Sequence, residues 1–63
     1  MKYKIAVAHL RMLGYHIHDE NSSVQLFINA EQTISYDSNK QEWYVPYIAN
    51  SKSNHSLVKR LNS

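Results

Sequence analysis

The stretch Gly14-Tyr15-His16-Ile17-His18-Asp19-Glu20 brings together two histidines and two carboxylates. Histidine titrates close to neutral pH and binds metals through a neutral ring nitrogen. In an extended chain alternate side chains share a face, so His16 and His18 could reach a single ion. Asp19 or His9 would have to complete the set. A zinc site takes three or four ligands, each oriented by further hydrogen bonds. Only two are well placed here, and no metal site is assigned. General acid–base chemistry meets a similar obstacle. Neighbours in a strand point to opposite faces, so His18 and Asp19 do not pair side chain to side chain. The stretch reads as the polar, solvent-facing positions of a short strand, alternating with Tyr15 and Ile17.

Other chemistries are thinly represented. The single glycine rules out a glycine-rich phosphate loop. With no cysteine there is no disulfide, thiolate metal site or cysteine nucleophile. The serines fall mostly in turn-like contexts, outside any nucleophile elbow, zincin or kinase signature. The expectation is therefore a non-enzymatic protein with no catalytic residue, no metal and no cofactor.

Charge carries more information. The net charge of +2 is small, but its layout is not random. Lys2, Lys4 and Arg11 lie in the first segment and Lys52, Lys59 and Arg60 in the last, both free of acids. Asp19, Glu20, Glu31, Asp37 and Glu42 all lie between them, with Lys40 as the one base there. Such asymmetry is the footprint of an electrostatic partner. The length of 63 residues allows one small domain, residues 1–63, with a modest core. The apolar run Ile5-Ala6-Val7-Ala8 is broken by His9 and Arg11, too short for a secretory signal or a membrane span. A soluble, cytoplasmic protein is expected, with no membrane partner.

The elements that must position these residues follow from periodicity. Tyr3, Ala6, Val7, Leu10 and Leu13 recur at spacings of three and four, which predicts a helix over 3–13 capped by Gly14. An alternation of Tyr3, Ile5 and Val7 offers a competing first strand. Ile5 and Met12 fall off the main helical stripe and could be a second buried edge, a partner contact or plain surface. Val24, Leu26 and Ile28 alternate with Gln25, Phe27 and Asn29, and the same parity runs on through Ala30, Ile34 and Tyr36, interrupted at Gln32. A run that long predicts a break near Ala30-Glu31. Asp37-Ser38-Asn39-Lys40 is a turn. Trp43, Val45 and Tyr47 then alternate, in a strand that Pro46 confines to an edge or ends. After a polar loop, Ser53, Asn54 or Ser56 would cap a short helix with Leu57, Val58 and Leu61 on its apolar face. The fold class is α+β: an N-terminal helix, a three- or four-stranded antiparallel sheet, and a short C-terminal helix, with both helices on one sheet face.

His9-Leu10-Arg11-Met12-Leu13-Gly14-Tyr15, Val45-Pro46 and His55-Ser56-Leu57-Val58-Lys59-Arg60-Leu61-Asn62, in this order, resemble the HicA-type toxins of toxin–antitoxin systems. The resemblance covers less than half of the chain and implies a double-stranded-RNA-binding-like α-β-β-β-α fold. That family carries a catalytic histidine in a Gly-Ser-His motif. The corresponding region here, Asn21-Ser22-Ser23-Val24-Gln25, has neither the glycine nor the histidine. The resemblance thus implies a binding scaffold without nuclease activity.

Two functions are expected on these grounds. In the first, Lys2, Lys4, Arg11, Lys52, Lys59 and Arg60 neutralise phosphates of RNA or DNA with little base readout. In the second, the chain is a small regulator or inhibitor of the kind phages and mobile elements encode. It would bind a protein, or a second copy of itself, through a free strand edge or an aromatic sheet face formed by Phe27 and Tyr44.

Overall fold

The computed structural model describes residues 1–30, 32–46 and 52–63, without the side chains of Lys52 and Ser53. The chain runs α1 (Tyr3–Met12), β1 (His16–His18), β2 (Val24–Asn29), β3 (Gln32–Asp37), β4 (Glu42–Tyr44) and α2 (Lys52–Leu61). The order is the expected α+β one, with four strands rather than three. The expectations for Glu31, Tyr47, Ile48, Ala49, Asn50 and Ser51 lie outside the described residues.

The helical stripe sets the position of α1. Ala6 and Leu10 are fully buried, and Tyr3 and Val7 pack beside them. Leu13, assigned to this stripe by spacing, is instead the exposed C-cap. The helix ends in a Schellman motif: Tyr15 N–H donates to the Leu10 carbonyl and Gly14 N–H to that of Arg11, both at 3.0 Å. Gly14 takes φ +98°, which only glycine adopts cheaply. The turn drops Tyr15 onto Leu10, and both are buried.

The sheet is antiparallel in the order β1-β2-β3-β4. Its register corrects the side assigned to Phe27. Ile17 pairs with Phe27, Phe27 with Ile34, Gln25 with Tyr36, and Tyr36 with Trp43. Residues paired across a ladder share a face, so this set lies together. Phe27, Ile34, Tyr36 and Trp43 form one buried cluster with Ala6 and Leu10 of α1 and Leu57 and Leu61 of α2. Both helices therefore cover the Phe27 face. Val24, Leu26 and Ile28, which look like the core side of β2, lie on the other face and are only half-buried. Parity also changes across the connection between β2 and β3. Asn29 pairs with Gln32, so odd residues of β2 face the same way as even residues of β3. Ala30, in this connection, has φ +54°.

Trp43 joins all the layers. Its ring lies 4.5 Å from that of Tyr36, 5.2 Å from Phe27 and 5.8 Å from Tyr3, centroid to centroid. The main-chain N–H of Trp43 donates to Asn62 Oδ1, and its main-chain carbonyl accepts from Asn62 Nδ2, each at 2.8 Å. In α2, Leu57 and Leu61 are buried and Val58 packs partly, as expected. The helix begins earlier than the capping residues suggest, so Ser53, Asn54 and Ser56 lie within it.

Two substitutions test the backbone analysis. Ala30→Gly relieves a left-handed alanine and should raise stability by roughly 0.5–1 kcal/mol, seen as a higher Tm. Gly14→Ala should lower it by about 1–2 kcal/mol. Its Cβ would also stand 3.4 Å from Asn29 Nδ2. Phe27→Ser empties the centre of the core and should unfold the chain, because large-to-small core changes cost about 3–5 kcal/mol. A cooperative Tm like that of the parent would contradict this.

Candidate nucleic-acid interface

The basic residues are positioned by the two helices. Lys2 is the N-cap of α1, Lys4 lies in its first turn and Arg11 in its last, all three exposed. Lys59 and Arg60 are exposed in the last turn of α2. Lys52 opens α2, and its side chain lies outside the described residues. Among the described residues, none of the other five side chains is held in an ion pair. The helices run in opposite directions. The Met1 amino group donates to the Ser63 carbonyl, and Tyr15 beyond the end of α1 reaches Asn54 near the start of α2. Lys2 and Lys4 thus belong to the same end of the helical layer as Lys59 and Arg60, with Arg11 at the other end.

Neither helix contains an acid. The described acids sit in or beside two sheet connections. Asp19 and Glu20 lie between β1 and β2, and Asp37 and Glu42 flank the loop between β3 and β4. These connections are tied together, since Ser38 N–H and Ser38 Oγ both donate to the Ser23 carbonyl, at 3.0 and 2.8 Å. The β3–β4 loop is shaped by Asp37, whose Oδ1 accepts from the N–H groups of Asn39 and Lys40. The described acids therefore gather at one end of the sheet, and the helices carry bases and no acid.

The α1 surface also carries apolar residues. Ile5 is 59% exposed and Met12 86%, so neither forms a second buried edge. On the sheet face opposite the helices, the ladder His18–Leu26–Ser35–Tyr44 runs across all four strands, with Ser35 fully buried and His16, Ile28 and Thr33 in the next row. Tyr44 is half-buried on this face, whereas Phe27 lies in the core beneath the helices. His16 and His18 are exposed, and no three His, Asp or Glu side chains among the described residues converge on a metal position. No helix of the described residues is long and apolar enough to cross a membrane.

Two polar networks escaped sequence reasoning. One is the Asn62 clamp on Trp43. The other joins Tyr15, Gln32 and Asn54. The Tyr15 hydroxyl is 2.9 Å from Gln32 Oε1 and 3.0 Å from Asn54 Oδ1, while the buried Asn54 Nδ2 has no partner. A hydroxyl has one proton and cannot serve two acceptors. Turning the Asn54 amide lets Nδ2 donate to the phenol oxygen while the phenol donates to Gln32. An acceptor rather than a donor is then left over, which is the milder deficit. No sequence signal distinguishes such amides from surface ones.

The chain was compared with protein families, curated proteins and solved structures, and none matches it.

Burial pushes the Tyr15 phenol above the usual tyrosine range. Tyr3 is raised too, first by burial, then by the Glu20 carboxylate and Tyr36, with Arg11 opposing. In both, folding favours the neutral phenol. The stability they contribute is complete below about pH 10, the unfolded value, and is lost as pH rises through the folded values. Denaturant titrations across that range should show stability falling, and Tyr15→Phe should flatten the fall. An unchanged slope would separate Tyr15 from it.

Proposed function

We propose that the protein is a small non-enzymatic nucleic-acid-binding module whose basic helices contact phosphates. One observation supports this above the others. The exposed surface of both helices carries Lys4, Arg11, Lys59 and Arg60 and no acid, while the described acids gather at the hairpin connections. Cations free of partner carboxylates are available to release counterions from a phosphate backbone. Lys2 extends this surface at the N-cap, and Lys52 stands at the start of α2. Among the described residues no element presents a set of base-reading side chains, so sequence specificity is low and the same surface serves RNA or DNA. The resemblance to HicA-type toxins implies the same kind of scaffold, with the catalytic histidine missing.

A second reading has its own support. Val24, Leu26, Ile28 and Tyr44 form a half-buried apolar patch on a sheet face that neither helix covers. Such patches mark contacts with other proteins. On that reading the chain is a small regulator or inhibitor that docks a protein on this face.

One experiment separates the two. Labelled single- and double-stranded RNA and DNA are titrated by fluorescence anisotropy at two salt concentrations, with the parent, Lys59→Glu/Arg60→Glu and Tyr44→Ser. The expected result is binding that weakens steeply with salt, is lost by at least tenfold in the charge-reversed variant, and is unaffected in Tyr44→Ser. No binding at low salt would remove the phosphate reading.

A further inference from the structure

A groove of about 480 Å³ opens beside the N-terminus of α1, between Tyr3, the β1–β2 connection and the β3–β4 loop. Its lining includes Tyr3, Glu20, Asn21, Gln25, Tyr36 and Gln41, and no Lys, Arg or His. It lies at the acidic end of the sheet, with Lys2 next to it at the N-cap of α1 but not in its lining.

Gln25 shows what the groove lacks. Its side chain is 6% exposed, and Nε2 is spent on the main-chain carbonyls of Glu20 and Ser22. Oε1 accepts no hydrogen bond from a described residue. It is not sealed off, since Asn54 Nδ2 is the one fully buried side-chain polar atom without a partner among the described residues. Gln25 lines the groove, from which a donor can reach this acceptor. Beside it, the exposed Glu20 acts on Tyr3, whose phenol it helps hold neutral. Tyr3 and Tyr36, with ring centroids 4.7 Å apart, form an aromatic wall. Tyr3 stacks its ring against Trp43 at 16°, which fixes that wall from behind.

We propose that this groove binds a guanidinium group, the group carried by arginine. The occupant must bring hydrogen-bond donors, a positive charge and a flat surface. A guanidinium has all three: five N–H donors in a planar fork, a permanent charge, and weak hydration that lets it lie against aromatic rings. One edge would pair with the Glu20 carboxylate while another N–H reaches Gln25 Oε1. An ammonium has the charge but is compact and strongly hydrated. A phosphate or carboxylate would be repelled by Glu20. The inference is independent of the phosphate surface on the helices, and either can fail alone.

The test is an amide NMR titration of the full chain with N-acetyl-arginine amide, its uncharged counterpart N-acetyl-citrulline amide, and free arginine. Saturable shifts confined to Tyr3, Glu20, Asn21, Gln25 and Gln41 are expected with blocked arginine and absent with the citrulline compound. Glu20→Gln, at an exposed turn position, should weaken binding at least tenfold with the rest of the spectrum unchanged. Tighter binding of blocked than of free arginine assigns the natural source to an arginine within a peptide; equal binding assigns it to the free amino acid. No saturable shifts, equal binding of citrulline, equal affinity in Glu20→Gln, or shifts centred on Asp37 and Glu42 would each overturn the site.

Discussion

Trp43 is the point on which the structure closes. Its indole packs against rings from α1, β2 and β3, and its main-chain N–H and carbonyl are both held by the Asn62 amide just past α2. A domain of this size buries little apolar surface, so one large aromatic contributes a disproportionate share of it. The two hydrogen bonds add about 0.5–1.5 kcal/mol each. Their main effect is geometric. They fix the end of α2 against the edge of the sheet, and with it the opposed course of the two helices. The groove beside Tyr3 and the shared position of the basic helix ends both follow from that arrangement.

Much of the architecture was legible in the sequence because it rests on local rules. The stripe from Tyr3 to Leu10, stopped by Gly14, favours a capped helix over the strand that Tyr3, Ile5 and Val7 also allow, because the glycine ends it where a helix would end. The turn at Asp37 and the proline beyond β4 mark their own positions. The face of β2 was not legible, for a physical reason. Val24, Leu26 and Ile28 are a more aliphatic set than Gln25, Phe27 and Asn29, and alternation alone sends the aliphatic set inward. What decides the matter is long-range. Phe27 stands opposite Ile17 and Ile34, and Gln25 opposite Tyr36, so the aromatic-rich side is the one the helices cover. Gln25 is buried there because its amide finds two main-chain carbonyls. The hairpin at Ala30 then exchanges odd and even positions between strands, which a straight alternation across the turn misses.

The candidate surfaces divide similarly. The segregation of bases from acids is visible along the chain. Its translation into space depends on the antiparallel order of the strands, which puts the β1–β2 and β3–β4 connections and their four carboxylates at one end, where Ser38 meets Ser23. The phosphate surface and the guanidinium groove are thus products of one separation of charge. The helices present an outer layer without acids, and the hairpin end a recess without bases.

The two borders of the sheet differ, and that difference limits how copies can associate. In a three-residue antiparallel strand, the groups turned away from the neighbour are those of alternate residues. On β4 these belong to Trp43, and Asn62 occupies both. No described strand lies beyond β1. A sheet with one capped border can be extended from the other side only. Two copies joined β1 to β1 about a two-fold axis would present a capped strand at each outer limit, and growth would stop there. With Trp43 clamped, any pairing of copies through β1 would be a terminating event rather than a propagating one.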